Sequence, residues 1–314
     1  MALFSFIFRA MAAENELQLA APDAATARRA AELVIADVTR IESKYSRYRD
    51  DSVTTRINRA AGGEPVVIDP ETAALLQYAD RCHALSGGLF DITSGVLRRV
   101  WDFKRDPPQL PAPGALAATV ALIDWPAVEW NQRTVRLPRA GMEIDFGGIG
   151  KEYAADRAAT ICMEAGVRHG LVDLAGDVRA IGTQEHGPPW RVGIRHPRQE
   201  GNVIGYVELA DGAIATSGDY ERFFDLGGRR YCHILNSHTG MPVHHWQSVS
   251  VLAPICVVAG SCSTIAMLLE KRAEAFLRRQ HVEYLAIAPD GAVRGTGVWV
   301  GRNDTPSRPS KRVS

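Results

Sequence analysis

The chain has 314 residues, enough for one large domain or two small ones. Apolar residues make up 46% of the chain and charged residues 23%, which is usual for a globular protein. The 36 Lys and Arg residues balance 36 Asp and Glu residues, and this neutrality argues against a nucleic-acid-binding protein and against an acidic disordered chain.

The N-terminal half is predicted to be mostly helical after one strand. The apolar stretch Met1–Arg9 predicts that strand; a signal peptide is the less favoured interpretation, because the stretch is short and no charge precedes it. Apolar residues at 3.6-residue spacing predict a helix over Pro22–Ser43. A second helix is predicted to open at Asp69, run to Leu85 and stop at the following Ser-Gly-Gly. Four prolines predict a surface loop over Phe103–Pro113.

From Ala127 onward the pattern changes to short strands with helices inserted singly. This order favours an α+β fold with mixed or antiparallel sheets over a doubly wound parallel sheet. We expect a single domain over residues 1–300, and residues 301–314, which are almost free of apolar side chains, to form a disordered tail. Helices are predicted at Lys151–Ala165 and Ser263–Arg279, and strands at Ala127–Trp130, Thr134–Leu137, Glu143–Phe146, Gly170–Leu174, Trp190–Ile194, Val203–Leu209 and Gln247–Leu252.

The cysteines and the hydropathy pattern bear on the compartment. No apolar run approaches the roughly 18 residues that predict a membrane-spanning helix. The cysteines form no CxxC pair and no zinc-type spacing with histidine, so we expect buried free thiols at Cys82, Cys162, Cys232, Cys256 and Cys262. With no lipobox and no clear signal, a cytoplasmic location is favoured and a periplasmic one is the alternative.

The most informative stretch runs from Ile144 to Asp156. A predicted strand ends there in a glycine-rich turn, and Lys151 stands at the start of a helix. Glycines let the backbone approach an anion, helix N-terminal amides point at it, and the lysine adds a positive charge. The stretch matches neither a Walker loop nor GxGxxG, so a tight turn with a solvated lysine is an equally good interpretation.

Three later segments have the same character. Ala215–Glu221 is a polar glycine turn after a strand, Cys232–Pro242 places His233 at a strand end, and Ala259–Thr264 leads into a helix that its hydroxyls could cap. Taken singly, they predict a turn, a structural histidine and a helix cap. Their number beside helix N-termini favours a diphosphate ligand, which needs several such places.

Seven sequence blocks, in this order, resemble the ApbE family of FAD:protein FMN transferases, from Met11 to about Val300. The resemblance implies an ApbE-like fold. It also implies an enzyme that cleaves the diphosphate of FAD with Mg²⁺, attaches FMN by a phosphoester to a Thr or Ser of a partner flavoprotein, and releases AMP. The blocks are Ser46–Ser52 with Asn58, Ser86–Asp91, Asp145–Asp156, Ala175–Asp177, Thr216–Asp219, His233–Gly240 and Ser263–Thr264.

The same resemblance implies roles for single residues. His233 matches the family's histidine beside the diphosphate, where it can assist a proton transfer. The Gly148 carbonyl would bind the metal, with Ser263 and Thr264 on its other side. FAD contacts are implied for Met11, Tyr48, Leu89, Phe90, Asp91, Asp145, Lys151 and Leu235.

Two positions depart from the family pattern. Gly260 stands where the last metal motif usually has Asp, and Glu152 stands where the lysine is usually followed by Gly. Mg²⁺ normally takes at least one carboxylate or phosphate, so either Glu152 supplies the missing charge or it points to solvent. The alternatives to transfer are an FAD-binding protein impaired by Gly260 and an FAD pyrophosphatase. We expect Mg²⁺ to bind weakly without FAD, and Gly260→Asp to raise activity at low Mg²⁺.

Overall fold

A nine-stranded sheet is the frame of the computed structural model, which describes residues 1–297 and the backbone of residues 311–312. Neighbouring strands of this sheet are antiparallel, except that the strand at Ala2–Ala10 pairs in parallel with residues 311–312. In spatial order the strands are β15 (Val293–Thr296), β14 (Glu283–Ile287), β13 (Ser248–Ala253), β10 (Gly212–Gly218), β7 (Asp177–Ile181), β6 (Gly170–Leu174), β2 (Ala13–Ala21), β1 (Ala2–Ala10) and β16 (Lys311–Arg312).

Three smaller sheets flank this frame. One joins β3 (Val66–Val67), β5 (Thr134–Arg136) and β4 (Glu129–Trp130). The other two are hairpins, which pair β8 (Trp190–Arg195) with β9 (Val203–Leu209) and β11 (Phe223–Leu226) with β12 (Arg229–Cys232). Because β10 runs antiparallel to β7, with Ile214 opposite Val178, the end of β10 lies beside the turn between β6 and β7.

The helices cover the sheet and carry much of the core. The helix α5 (Gly150–Glu164) packs against α1 (Ala24–Tyr45), α6 (Cys256–Leu269), β6 and β7. The helix α6 packs on β10 and β13. One apolar cluster extends from Phe6 to Ala288. The α-helices are α1 (Ala24–Tyr45), α2 (Val53–Arg59), α3 (Pro70–Ser86), α4 (Pro113–Val120), α5 (Gly150–Glu164), α6 (Cys256–Leu269) and α7 (Ala273–Arg279), with short 3₁₀ turns at Ile92–Arg99, Trp125–Ala127 and Glu270–Arg272.

The α+β prediction is confirmed, and so are several of its elements. Asp23 caps α1 and Asp69 caps α3 by accepting the amide hydrogen of the residue three positions on. The apolar stripe of α1 is buried as its spacing predicts, including Val34, Val38 and Ile41. The first strand forms at Ala2–Ala10, and all five cysteines are free and buried.

Other predicted elements were wrong. Glu143–Phe146 is not a strand, because the Asn58 side chain binds both backbone groups of Ile144, at 2.7 Å and 3.0 Å. Residues 263–279 form two helices, and Ala259–Thr264 lies inside α6 instead of capping a helix. The turn expected from Ala215 is still strand as far as Gly218.

Two predictions about the ends and the compartment stay predictions. Of the tail predicted at 301–314, residues 311–312 pair with β1, and the rest lies outside the described residues, so the domain boundary at residue 300 is untested. Across the described part of the chain, none of the helices combines the length and apolar character needed to cross a bilayer.

Candidate functional site

The glycine-rich turn before α5 packs directly against Phe90. The Asp145 carboxylate accepts the Gly147 amide hydrogen at 3.0 Å, which closes the turn. A Cβ at Gly148 would lie 3.1 Å from the Phe90 ring, closer than real side chains normally approach. The Phe90 ring is itself buried. Any larger residue at position 148 would require the Phe90 ring to shift, so glycine lets this turn rest directly on the ring.

Arg47 holds the residues around this turn in place through three contacts. Its buried guanidinium is paired with Asp145, donates to Glu143 at 2.8 Å and donates to the Gly95 carbonyl at 2.8 Å. Glu143 also accepts from Arg99 at 2.6 Å. Burial opposes ionisation of Glu143, but these arginines hold its pKa below the ordinary value. The network fixes the position of Asp145, so both the carboxylate and the turn are preorganised.

Lys151, in the first turn of α5, reaches the turn between β6 and β7. Its Nζ lies 2.8 Å from the Asp177 carboxylate and donates to the Ala175 carbonyl at 3.2 Å. Burial raises the pKa of Asp177, and the lysine opposes that rise. The Lys151 side chain is still 32% exposed, whereas the Asp177 side chain is 5% exposed. The lysine is thus held by a buried carboxylate and keeps one side open.

Glu152 points into the protein, so the solvent-facing alternative is wrong. The residue is 8% exposed. Its carboxylate lies against α6 at Gly260, where an added Cβ would be 2.8 Å from Glu152 Oε1. Its other oxygen, Oε2, has no hydrogen-bond partner among the residues that the structure describes. Burial, with a contribution from the Asp177 charge, raises the pKa of Glu152.

A cluster of hydroxyls stands one helical turn further along α6. Ser263 Oγ donates to the Gly260 carbonyl at 2.9 Å. Ser217, near the end of β10, brings its Oγ within 2.8 Å of Ser263 Oγ and 2.9 Å of Thr264 Oγ1. Residues three and four apart share one helix face. Gly260, Ser263 and Thr264 therefore face the same region, which Glu152 enters from α5.

His233 immediately follows β12. Its amide donates to the Arg222 carbonyl at 2.9 Å, and its buried Nδ1 lacks a hydrogen-bond partner within the described part of the chain. Burial lowers the pKa of His233 to about 4, with the positive charges of Arg222 and Lys151 acting in the same direction. The imidazole is therefore neutral near pH 7 and able to accept a proton.

The other residues for which the resemblance implies FAD contacts lie on different elements of the fold. Asp91 is already engaged: its carboxylate accepts hydrogen bonds from the Thr93 amide at 2.7 Å, the Thr93 hydroxyl at 2.6 Å and the Trp125 amide at 3.2 Å. Tyr48 is 78% exposed, and Leu235 packs against the aromatic cluster around Trp101. Leu89 is buried, and Met11 lies in the turn between β1 and β2. Their contacts with FAD stay predictions.

Three residues that complete this geometry were not among the site residues predicted from the sequence. Asp177 and Ser217 fall inside blocks that the sequence resemblance uses, beside the lysine and the α6 hydroxyls respectively. Arg47 precedes Tyr48 in the first block. The available signal was their position in these blocks, but their partners lie on other elements and only the fold brings them together.

The chain is similar in sequence and in fold to known proteins of one family. The model of the ApbE family matches residues 11–286. An FAD:protein FMN transferase of Treponema pallidum is 34% identical over 281 residues, 83% of this chain and 77% of the relative. One of Vibrio cholerae is 31% identical over 79% of this chain and 75% of the relative. The crystal structure of the ApbE protein of Thermotoga maritima has a TM-score of 0.85 at 30% identity, covering 94% of this chain and 97% of that one.

Proposed function

The chain belongs to the ApbE family and is an FAD:protein FMN transferase, and we propose that it cleaves the diphosphate of FAD with the help of Mg²⁺. FMN is joined to a Thr or Ser hydroxyl of an acceptor flavoprotein, and AMP is released. The observation that carries the proposal is the position of Lys151 and Glu152 in the first turn of α5, beside the β6–β7 turn and the Gly260 face of α6 respectively. The charge of Lys151 also acts on the neutral His233.

Lys151 and the glycine turn supply the anion-binding half of this proposal. The positive end of α5 and the ammonium of Lys151 favour a negatively charged diphosphate. Asp145 and Phe90 hold the turn, Leu89 lies next to Phe90, and the exposed Tyr48 ring is available for stacking on a flat ring. Met11, Asp91 and Leu235 complete the proposed set of FAD contacts, Asp91 through its ordering of the segment after Phe90.

The oxygen-rich region fits Mg²⁺, which prefers hard oxygen ligands. Ser263 and Thr264 offer hydroxyls, Gly148 offers its carbonyl, and the Glu152 oxygen nearby is buried without a hydrogen-bond donor in the described structure. When bound, the ion would neutralise charge on the diphosphate oxygens. A carboxylate buried without a partner carries a desolvation cost, which a bound cation would offset.

His233 is placed to handle the proton of the transfer. The acceptor oxygen forms a new bond to the FMN phosphorus, and the bond from that phosphorus to the bridging oxygen breaks, which leaves AMP. The acceptor hydroxyl loses its proton, and the neutral imidazole of His233 takes it up. Lys151, on the same side, stabilises the charge on the diphosphate.

The activity is tested by measuring AMP release from FAD and Mg²⁺, with and without a peptide that carries an acceptor Thr. The expected result is AMP and a flavinylated peptide only when the peptide is present, and neither after chelation of Mg²⁺. AMP released without peptide would identify a pyrophosphatase instead. FAD bound without any AMP would leave a flavin-binding protein.

Lys151→Ala should weaken FAD binding at least tenfold, because it removes the cation from the anion site. The ion pair with Asp177 implies an effect on folding as well. Removal of the lysine leaves Asp177 buried and unpaired, which costs about 3 kcal/mol of folding free energy. Flavin fluorescence titration and urea unfolding measure the two effects.

The matched control is the double variant Lys151→Ala with Asp177→Asn, which removes the buried charge together with its partner. Its folding free energy should return towards that of the wild type, while its FAD affinity stays low. Wild-type FAD affinity in the double variant would exclude Lys151 from the FAD site.

A further inference from the structure

We propose that Glu152, on α5, supplies the carboxylate ligand of the divalent cation, and that residue 260 on α6 is glycine because Glu152 occupies the space of its side chain. The inference rests on the proposed function and deepens it. It concerns how this chain builds the cation site after its two departures from the family pattern.

The first argument is spatial. A Cβ on Gly260 would lie 2.8 Å from Glu152 Oε1 and 3.0 Å from Glu152 Cδ, so even alanine does not fit unless Glu152 moves. The two residues are 108 positions apart and lie on helices that pack together. A carboxylate contributed by the neighbouring helix thus lies beside position 260, where the family pattern has one on α6 itself.

The second argument comes from the partners of the carboxylate. Glu152 Oε2 is buried without a hydrogen-bond donor among the described residues, and the nearby ammonium of Lys151 is held by Asp177. Burying an unpaired charge is strongly unfavourable, so the ionised form of this carboxyl group would be stabilised by a bound cation. Ser263 and Thr264, one turn along from Gly260, place hydroxyl oxygens on the same face of α6.

The third argument concerns how many protein ligands this ion needs. No cluster of three or more acidic, histidine or cysteine side chains suited to a metal occurs in the part of the chain that the structure describes. Mg²⁺ usually binds through one or two carboxylates together with substrate phosphates and water. One glutamate therefore suffices here when the diphosphate is bound, and the ion should bind tightly only then.

This arrangement reverses the outcome expected for Gly260→Asp from the sequence. An aspartate at 260 would collide with Glu152, so the single substitution should weaken Mg²⁺ binding instead of improving it. The exchange Glu152→Gly with Gly260→Asp removes the collision and moves the carboxylate onto α6.

The test measures Mg²⁺ binding by calorimetry, with ADP present as a diphosphate that cannot transfer FMN. Three proteins are compared with the wild type: Glu152→Gln, Gly260→Asp, and the exchange of both residues. We expect Mg²⁺ affinity to fall at least tenfold in each single variant and to recover to within about threefold of wild type in the exchange.

Two further measurements distinguish the loss of a metal ligand from a failure to fold. Metal-free Glu152→Gln should unfold at the same temperature as the wild type or higher, since it removes a buried carboxyl group that has no hydrogen-bond donor at Oε2 among the described residues. Mg²⁺ with ADP should raise the unfolding temperatures of the wild type and of the exchange variant more than that of Glu152→Gln. FAD affinity in chelator should be unchanged in Glu152→Gln.

Equal Mg²⁺ affinity in wild type and Glu152→Gln would overturn the proposal, as would undiminished binding in Gly260→Asp. A folded exchange variant that binds no better than Glu152→Gln would overturn the shared-site argument. Failure of the proposed function is distinguishable, because it would appear as a wild type that binds Mg²⁺ but yields no flavinylated peptide.

Discussion

Arg47→Ala should lower the free energy of unfolding by about 3–5 kcal/mol, among the largest effects of a single substitution in this chain. The Arg47 side chain is 7% exposed and serves three acceptors: Asp145, Glu143 and the Gly95 carbonyl. Its removal leaves one carbonyl and part of two carboxylates without their donor. Urea unfolding followed by circular dichroism measures the loss.

Arg49→Ala is the matched control, because Arg49 lies two residues away in the same segment. Its side chain is 49% exposed and pairs at 3.1 Å with Asp51, whose side chain is 71% exposed, so solvent screens the pair and its contribution to stability is small. Arg47→Lys should fall between the two variants, since a lysine keeps the charge but cannot serve three acceptors in a fork. If Arg47→Ala were as stable as Arg49→Ala, the network would not hold the turn.

FAD binding should also be weaker in Arg47→Ala. Without the arginine, Asp145 is free to move, and the turn that it closes at Gly147 is no longer fixed. The glycine amides then have to be ordered by the ligand, which lowers affinity. FAD titration in conditions where the variant is folded tests this consequence separately from stability.

The parts of the fold that the sequence predicted well are those decided by neighbouring residues. The start of α3 follows from Asp69 and the proline after it, and α1 follows from its own apolar period and from Asp23. The strands at Gly170–Leu174 and Val203–Leu209 were predicted with their observed bounds. In each case the information lies within a few residues of the element.

The wrong predictions involve partners distant in the chain. Glu143–Phe146 has the composition of a strand, but Asn58, 86 residues away, takes the backbone bonds that a neighbouring strand would have made. The strand β2 is an exception: it alternates buried and half-buried residues from Asn15 to Leu19 and pairs with β1 across a two-residue turn, yet it was not predicted. Local propensity does not contain these tertiary choices.

The features of the candidate site also divide into those that neighbouring residues decide and those that depend on contacts between distant elements. The glycine turn and Lys151 were recognisable locally, because a helix start after glycines is a feature of consecutive residues. The direction of Glu152 was not, since a glutamate in a first helical turn normally faces water. Only the packing of α5 against α6 turns it towards Gly260. The sequence therefore showed that two positions were unusual, and the structure showed that they are in contact.

His233→Ala should lower the rate of FMN transfer roughly 10²-fold or more, the range for loss of a positioned acid or base. The fold should persist, because the ring nitrogen Nδ1 has no hydrogen-bond partner in the described structure and its removal breaks no bond there. FAD affinity should stay close to the wild-type value, since the imidazole is neutral and contributes no charge to the anion site.

The protonation state of His233 adds a pH test that a structural histidine would fail. Burial lowers its pKa to about 4, so kcat/KM, which reports the free enzyme, should stay level as the pH falls through 6.5 and decline only near 4. The free energy of unfolding should also fall at low pH. Below its ordinary pKa of about 6.5 this histidine is protonated in the unfolded chain but not in the native state, so the native state loses stability as the pH falls towards 4.

The control for the His233 variant is His244→Ala, whose side chain is 63% exposed and whose removal should leave the transfer rate unchanged. Single-turnover transfer to an acceptor peptide, with FAD saturating, separates chemistry from binding. Wild-type rates in His233→Ala would assign the histidine to a structural role. A slow variant with an unchanged acid limb would mean that another group sets the pH dependence. A slow variant that has lost this limb, with FAD affinity intact, is the result that a base at the diphosphate requires.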